Sequence, residues 1–319
     1  MKVLLTGATG NVGSHTLPEL VRQDHRVRCL TRLSNTNRRW AQQIGPGVEV
    51  VWGDLTDPAS VARAAEGTDA VVHLAGVIPP GTDEHPEQAR QANVDGTRNV
   101  VAACLVQPVP PSLLFSSTLD VHGHTLQQTP PRRVDDPLKA TDPYTEQKIE
   151  AERLVRESGL RWCILRLADV PILGIRDPHP IMFEIGLRNR IESLHADDAG
   201  LAIANALTTP EVWGRILFVG GGPSCQLTYR EYLTRLLGAM GVEPLPDEAF
   251  SDKVYATDWL DTEESERLLH YQRHTFDDIA EAVAAGLGWK RRLMPVASPI
   301  ARAAILRLSP YYQRSLRSR

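Results

Sequence analysis

Apolar runs and amphipathic stretches alternate from the start of the chain. Lys2-Val3-Leu4-Leu5-Thr6 reads as a short buried strand, and an apolar face at helical spacing follows over 14–22. The unit then repeats. Residues 25–31, 48–52, 69–74 and 111–116 read as strands two to five, with helical stretches at 58–65 and about 86–106. Strands alternating with helices at this spacing call for right-handed crossovers, and so for an α/β chain with a parallel, doubly wound sheet. Further on the pattern gives a helix opening at Pro143, one over 198–207, a strand at 215–219 and a helix over 228–240. Pro244-Leu245-Pro246 marks a loop, 258–264 reads as a strand and a capped helix start, and 276–287 as the last core helix. There is no repeat and no low-complexity linker.

The first turn carries candidate chemistry. Gly7-Ala8-Thr9-Gly10-Asn11-Val12-Gly13 lies between strand one and helix one. Gly7 and Gly10 let the chain turn sharply and let a pyrophosphate approach backbone N–H groups, and Gly13 lets the helix pack close to the strand. The Gly-x-x-Gly-x-x-Gly spacing differs from the usual three-glycine fingerprint, so an ordinary strand-to-helix turn is the alternative to a dinucleotide site. Strand two ends in Arg32, with Arg38 and Arg39 beyond it. An NAD site would place a carboxylate there for the ribose hydroxyls. A guanidinium suits the 2′-phosphate of NADP, unless these arginines only face solvent. NADP(H) is therefore favoured over NAD(H). Asp54, just past strand three, is placed to accept from an adenine amino group, and Thr56 or Asp57 to cap the next helix. His73, in strand four, reads as a satisfied buried histidine.

Ser116-Ser117-Thr118 stands at the carboxyl end of strand five, and Tyr144 and Lys148 share one face of the helix that opens at Pro143. An ammonium beside a phenol favours the phenolate and would make Tyr144 a usable acid or base. With seven tyrosines in 319 residues this spacing can arise by accident, but its union with the glycine turn and the Ser/Thr tip is far less accidental.

Composition narrows the class. Hydrophobic content of 42% and charged content of 23% are ordinary for a globular chain, and no apolar stretch is long enough to span a bilayer. With a strand beginning at residue 2, no signal or transit peptide is expected before it. Cys29, Cys104, Cys163 and Cys225 show no metal-ligand or redox spacing, so no metal and a reducing, cytoplasmic setting are expected. The net charge of −4 is uneven: residues 290–319 hold eight basic side chains and no acid, leaving about −12 elsewhere. So acidic a body argues against nucleic acid. The basic tail reads either as a solvated, partly disordered terminus or as a helix docking on an anionic membrane or acidic partner through Ile300, Ala304, Ile305 and Leu308, with Tyr311 and Tyr312 after them.

Thr6–Gly13 in sequence, Gly53-Asp54-Leu55-Thr56-Asp57, His73-Leu74-Ala75-Gly76, Asn93-Val94-Asp95-Gly96-Thr97, Ser116-Ser117-Thr118 and Tyr144 with Lys148 together resemble the extended short-chain dehydrogenase/reductases, the NAD(P)-dependent epimerase/dehydratase group. The likeness resumes at His195-Ala196-Asp197-Asp198-Ala199-Gly200 and Phe218-Val219-Gly220-Gly221-Gly222. It implies a Rossmann-type sheet over 1–170, with 196–222 returning to it, a smaller mixed α/β substrate-binding part from 171–195 and 223–290, and a tail over 291–319. It further implies that Gly7, Thr9, Gly10, Asn11, Val12, Gly13, Arg32, Asp54, Leu55, Leu74, Ala75, Gly76 and Lys148 bind the cofactor. By the same resemblance Tyr144 is the acid/base, Lys148 lowers its pKa, Thr118 orients the substrate oxygen, and Asn93 has a part in proton relay. The implied reaction is hydride transfer at a carbonyl or hydroxyl carbon. Sugar-nucleotide epimerisation or dehydration is one alternative, and non-catalytic dinucleotide binding another. A homodimer through 86–106 and 143–157 is implied as well.

Two departures bear on the substrate. Arg166-Leu167-Ala168-Asp169-Val170-Pro171-Ile172 replaces the family's usual Arg-Pro-Gly-Asn-Val-Tyr-Gly, and Asp120 stands where a small residue is usual. Asp120 is read as a turn cap rather than an acid facing the site. The span 171–195 is short for a sugar-nucleotide enzyme, although Arg176, Arg188 and Arg190 could meet an anion. A small carbonyl compound or alcohol is the expected partner.

Overall fold

The computed structural model describes residues 1–45, 47–174 and 178–317. Among them seven strands form one parallel sheet: β1 (Lys2–Thr6), β2 (Arg26–Thr31), β3 (Val48–Trp52), β4 (Ala70–His73), β5 (Ser112–Thr118), β6 (Trp162–Leu167) and, after the short β7 (Arg190–Glu192), β8 (Arg215–Val219). Their spatial order is β3-β2-β1-β4-β5-β6-β8. The order reverses between β1 and β4, and a crevice at the carboxyl ends opens at that point.

Strand residues alternate between two cores. Val3, Leu5, Val27, Cys29, Val72 and Leu165 face α1 (Asn11–Arg22) and a later helix, Ala196–Thr208, through Leu17, Leu20 and Ile203. Leu4, Val71, Leu113, Phe115 and Ile164 face the other side, against Val61 of α3 (Pro58–Ala65) and Val100 of the helix Gly96–Leu105, with Ala151 and Val155 of the helix Pro143–Arg156. Each such side chain taken out of water contributes about 1.5–3 kcal/mol, which is why near-continuous apolar runs make central parallel strands. The intervening helices are α2 (Asn35–Gln43), α4 (Gly81–Glu84), α5 (Pro86–Arg90), α6 (Gly96–Leu105), α7 (Pro143–Arg156) and α8 (Ala196–Thr208).

The later chain forms a third cluster. β7 pairs antiparallel with β9 (Gln226–Thr228), and α9 (Tyr229–Ala239) and α11 (Phe276–Ala285) pack over it through Leu233, Leu237, Phe276 and Ile279. α10 (Glu263–Leu269) lies between them in sequence. Among the described residues no helix is long and apolar enough to cross a membrane, and all four cysteines are buried free thiols.

Several expectations need correction. α1 starts at Asn11, and β5 runs on to Thr118, so Thr118 ends the strand. The helical stretch from Pro86 is interrupted by a π turn, Gln91–Asp95, which turns Asn93 inward. Asp57, not Thr56, caps α3, accepting from Ala59 and Ser60 N–H. Asp258 lies in no strand. Buried, it receives Arg190 through Nη2 at 3.0 Å and the Thr125 hydroxyl at 2.6 Å, so Arg190 is held inside the protein instead of meeting an anion. Arg188 is exposed, and Arg176 lies outside the described residues. The tail is ordered where it is described: α12 (Met294–Leu306) and α13 (Pro310–Arg317) pack back on the third cluster, with Leu306 buried and Ile305, Leu308, Tyr311 and Tyr312 against it. Arg319 lies outside the described residues.

Candidate active site

The glycine turn is shaped by close contacts. Gly7 has φ +79°, and a Cβ there would lie 2.7 Å from the Ala75 nitrogen. A Cβ on Gly13 would come within 2.0 Å of the Gly7 carbonyl oxygen, so only glycine lets α1 begin this near to β1. Gly10 caps α1 without any side-chain acceptor, and the first turn contains no acid. The N–H groups and positive dipole end therefore open onto the crevice, as an anion requires.

A cavity of about 500 Å³ runs from this turn across the carboxyl ends of β4, β5 and β6. Gly7, Gly10, Asn11, Val12, Gly13, Leu74, Gly76, Thr118, Tyr144 and Lys148 all line it. Thr9, Arg32, Asp54, Leu55 and Ala75 are not in its wall. Thr9 and Arg32 are exposed, and Arg32 stands directly after β2, the strand paired with β1 beside the turn. Asp54 accepts from both Thr56 N–H and Thr56 hydroxyl at 2.9 Å, which organises the turn into α3. Asn11 donates its side chain to the Val170 carbonyl at 2.8 Å, so its amide joins the turn to the end of β6.

α7 projects the reactive side chains. Asp142 caps it, with Thr145 returning the capping bond, and Pro143 supplies the first helical position. Tyr144, Lys148 and Glu152 follow at intervals of four on the buried face. Glu152 accepts Arg166 of β6 through two bonds of 2.9 and 2.8 Å, and both side chains are 2% exposed. This pair fixes the rotation of α7 against the sheet. Asn93, read as a relay residue, is fully bonded: its amide oxygen takes Val77 N–H at 2.7 Å and its NH₂ gives to the Val77 carbonyl and Gln147 at 2.9 and 2.8 Å. It clamps the segment after Gly76 onto α7. His73 lies between the hydroxyls of Thr6 and Thr97 at 2.8 and 3.0 Å, with burial pushing its pKa down to about 3, and is a satisfied core histidine.

The electrostatics depart from the expected Tyr/Lys effect. Lys148 donates to the Ser116 carbonyl at 2.9 Å and lies 5.9 Å from the Tyr144 ring, with burial pushing its pKa down to about 8. Tyr144 lies beside Thr118 in the wall of the cavity, where burial first, and then the charge of Asp120, hold its phenol above its usual value. Asp120 thus faces the site and is not a surface turn cap. Burial, then Asp142 and Asp169, push it up to about 7. Asp169 lines the same cavity with its side chain exposed to it. The site thus holds a protonated phenol beside the carboxyl groups of Asp120 and Asp169.

Sequence reading missed the far wall. Ile78, Pro79, Ile185, Ile191 and Tyr255 complete the cavity, and none belongs to a motif. The crowded glycines, the acid-free helix start and the length of the cavity fit a dinucleotide laid from α1 toward Tyr144.

Known proteins match in the same sense. A mouse 3 beta-hydroxysteroid dehydrogenase type 7 is 32% identical over 50% of the chain and 44% of its own length, so the chain spans less than half of that relative. A 2-alkyl-3-oxoalkanoate reductase of Stenotrophomonas maltophilia is 30% identical over 79% of each chain. Among solved structures, the dTDP-glucose 4,6-dehydratase DesIV of Streptomyces venezuelae, with NAD bound, is 24% identical with a TM-score of 0.78, covering 92% of this chain and 98% of that one. That structure shares the fold. The model of the NAD dependent epimerase/dehydratase family matches residues 3–171, and with the glycine turn and the Tyr144 and Lys148 face in place the chain belongs to that family.

Proposed function

We propose that the protein is an NADP(H)-dependent oxidoreductase acting on one carbonyl/hydroxyl pair of a small molecule, with Tyr144 as the proton donor and acceptor. The observation that carries this reading is the shared cavity: the glycine turn, Thr118, Tyr144 and Lys148 all border one space. A bound nicotinamide would supply or accept the hydride. Gly7, Gly10 and the first turn of α1 hold the pyrophosphate, Lys148 the nicotinamide ribose, and Arg32 the 2′-phosphate. Leu74, Ala75 and Gly76 flank the cofactor, with Asp54 and Leu55 toward its adenine end. Thr118 accepts or donates at the substrate oxygen. Tyr144, kept protonated by burial and Asp120, delivers its proton to that oxygen as a carbonyl is reduced, and takes it back in the reverse direction.

The cavity favours a small substrate over a sugar nucleotide. Asp120 and Asp169 line it and, among the described residues, no arginine does. A diphosphate there would meet two acids without a guanidinium clamp. The relative that spans 79% of the chain is named a reductase. Division into a cofactor part and a substrate part follows from the same reading, since Ile185, Ile191 and Tyr255 of the later chain join the cavity's lining. Exposed faces of α6 and α7 are proposed to pair two copies.

Tyr144→Phe tests the assignment. Turnover of reduced cofactor with a panel of aldehydes and ketones should fall by roughly 10²–10⁴-fold, while cofactor affinity stays within a few-fold. Unchanged turnover would remove Tyr144 from the chemistry.

A further inference from the structure

The last elements bury one side and leave the other bare. α12 packs inward through Leu306, Ala301 and Ile305, and α13 continues that contact through Tyr311, whose hydroxyl donates to Glu184 at 2.7 Å. Arg302 donates to the Pro244 carbonyl at 3.0 Å. On the opposite side Trp289, Leu293, Val296 and Ile300 are 71, 54, 85 and 76% exposed. Leu293, Val296 and Ile300, at intervals of three and four residues, share one face of α12, and Trp289 is exposed on the 3-10 turn Gly288–Leu293 just before it. Three large apolar side chains in a line on a solvent-facing helix, with an exposed tryptophan at its start, are a surface awaiting cover.

Charge says what covers it. Lys290 and Arg292 are exposed at the start of this line, and Arg307 is exposed beyond its far end. Arg302 and Arg307 also border a cleft of about 380 Å³ beside α12, together with Leu306, Tyr312 and one acid, Glu243. Arg291 is engaged with Glu281 at 2.7 Å and adds little. Residues 290–319 contain no acid, whereas the remaining chain carries about −12. A polyanionic surface is drawn to this end and repelled by the body. An apolar line with a tryptophan at one end and basic rims matches a helix lying in the headgroup plane, and α12 is too short to cross the bilayer.

We propose that the face formed by Trp289, Leu293, Val296 and Ile300, rimmed by Lys290, Arg292 and Arg307, seats the protein on an anionic membrane surface. The helix lies parallel to the membrane, with its apolar line at the boundary of the acyl chains. This seating is independent of the reaction at Tyr144.

Co-sedimentation of the full chain with lipid vesicles tests it. Vesicles of phosphatidylcholine containing about one third phosphatidylglycerol should bind at least about tenfold more protein than phosphatidylcholine alone, with the difference falling as salt rises. Val296→Asp with Ile300→Asp should abolish binding without lowering the melting temperature, because both side chains are already exposed. Lys290→Glu with Arg292→Glu should cut binding by roughly tenfold or more with the apolar line intact. No binding to either vesicle, or equal binding to both, overturns the proposal. So does a dimer in light scattering that the double aspartate variant dissolves, since a second copy would then be what covers the face.

Discussion

Replacing Glu152 by glutamine removes the charge that holds Arg166 without changing side-chain volume. The two residues share bonds of 2.9 and 2.8 Å at 2% exposure. The guanidinium would keep the glutamine oxygen as one neutral acceptor, with the Val134 carbonyl at 2.7 Å and His122 Nε2 at 3.0 Å, and no counter-charge. His122 brings no compensating charge, being neutral at ordinary pH with its pKa pushed down to about 4 by burial and by Arg166. Breaking one side of such a buried pair costs about 3–5 kcal/mol. At about 2.1 cal/mol/K per residue, 319 residues give an unfolding entropy of roughly 0.7 kcal/mol/K, so the melting temperature should fall by about 4–8 °C. Thermal melts by circular dichroism read this directly. Glu157→Gln is the control: its partner Arg153 is 2.8 Å away, but the two side chains are 62 and 59% exposed, and less than about 1 kcal/mol is at stake. A Glu152→Gln melt matching that of Glu157→Gln would mean that the pair does not hold α7 to the sheet. The Glu152 charge also opposes the burial of Lys148, so its loss should bring the Lys148 pKa below about 8.

Two further outcomes follow from the site. Asp120 has its pKa raised in the folded protein to about 7, so between the usual carboxylate range and pH 7 the folded state binds more protons than the unfolded one and stability falls as pH rises. Asp120→Asn should therefore melt higher than the parent at pH 8 and lose that advantage near pH 4, and an advantage independent of pH would contradict a half-buried Asp120 that titrates above the usual carboxylate range. Arg32→Ala should weaken NADPH binding by roughly 10- to 100-fold, the loss of a charge-assisted bond to phosphate, and leave NADH nearly unchanged. Equal losses for the two cofactors in fluorescence titrations would take the 2′-phosphate away from Arg32.

Much of the framework is legible along the chain because it is set by local periodicity. The parallel strands are apolar runs, the helix starts carry Asp142 and Asp57, and Tyr144 and Lys148 share a face by their spacing alone. What the chain hides depends on distant segments. Asp120 resembles a turn residue until the fold brings it beside Tyr144, whose own burial, with the charge of Asp120 second, then reverses the expected effect of Lys148. Asn93 is turned inward by a π turn that no residue pattern announces. Tyr255, Ile185 and Ile191 reach the cavity only through the packing of the later chain. The tail shows the same limit, since periodicity marks Ile305 and Leu308 as apolar without telling whether they face solvent or the protein's own core.

Titration of the purified protein with NADPH and with NADH, followed by nicotinamide fluorescence, bears most directly on the proposed cofactor site at the glycine turn. Saturable binding of both, tighter for NADPH, is the predicted result. Tighter binding of NADH would contradict the role given to Arg32, and binding of neither would contradict the cofactor site itself.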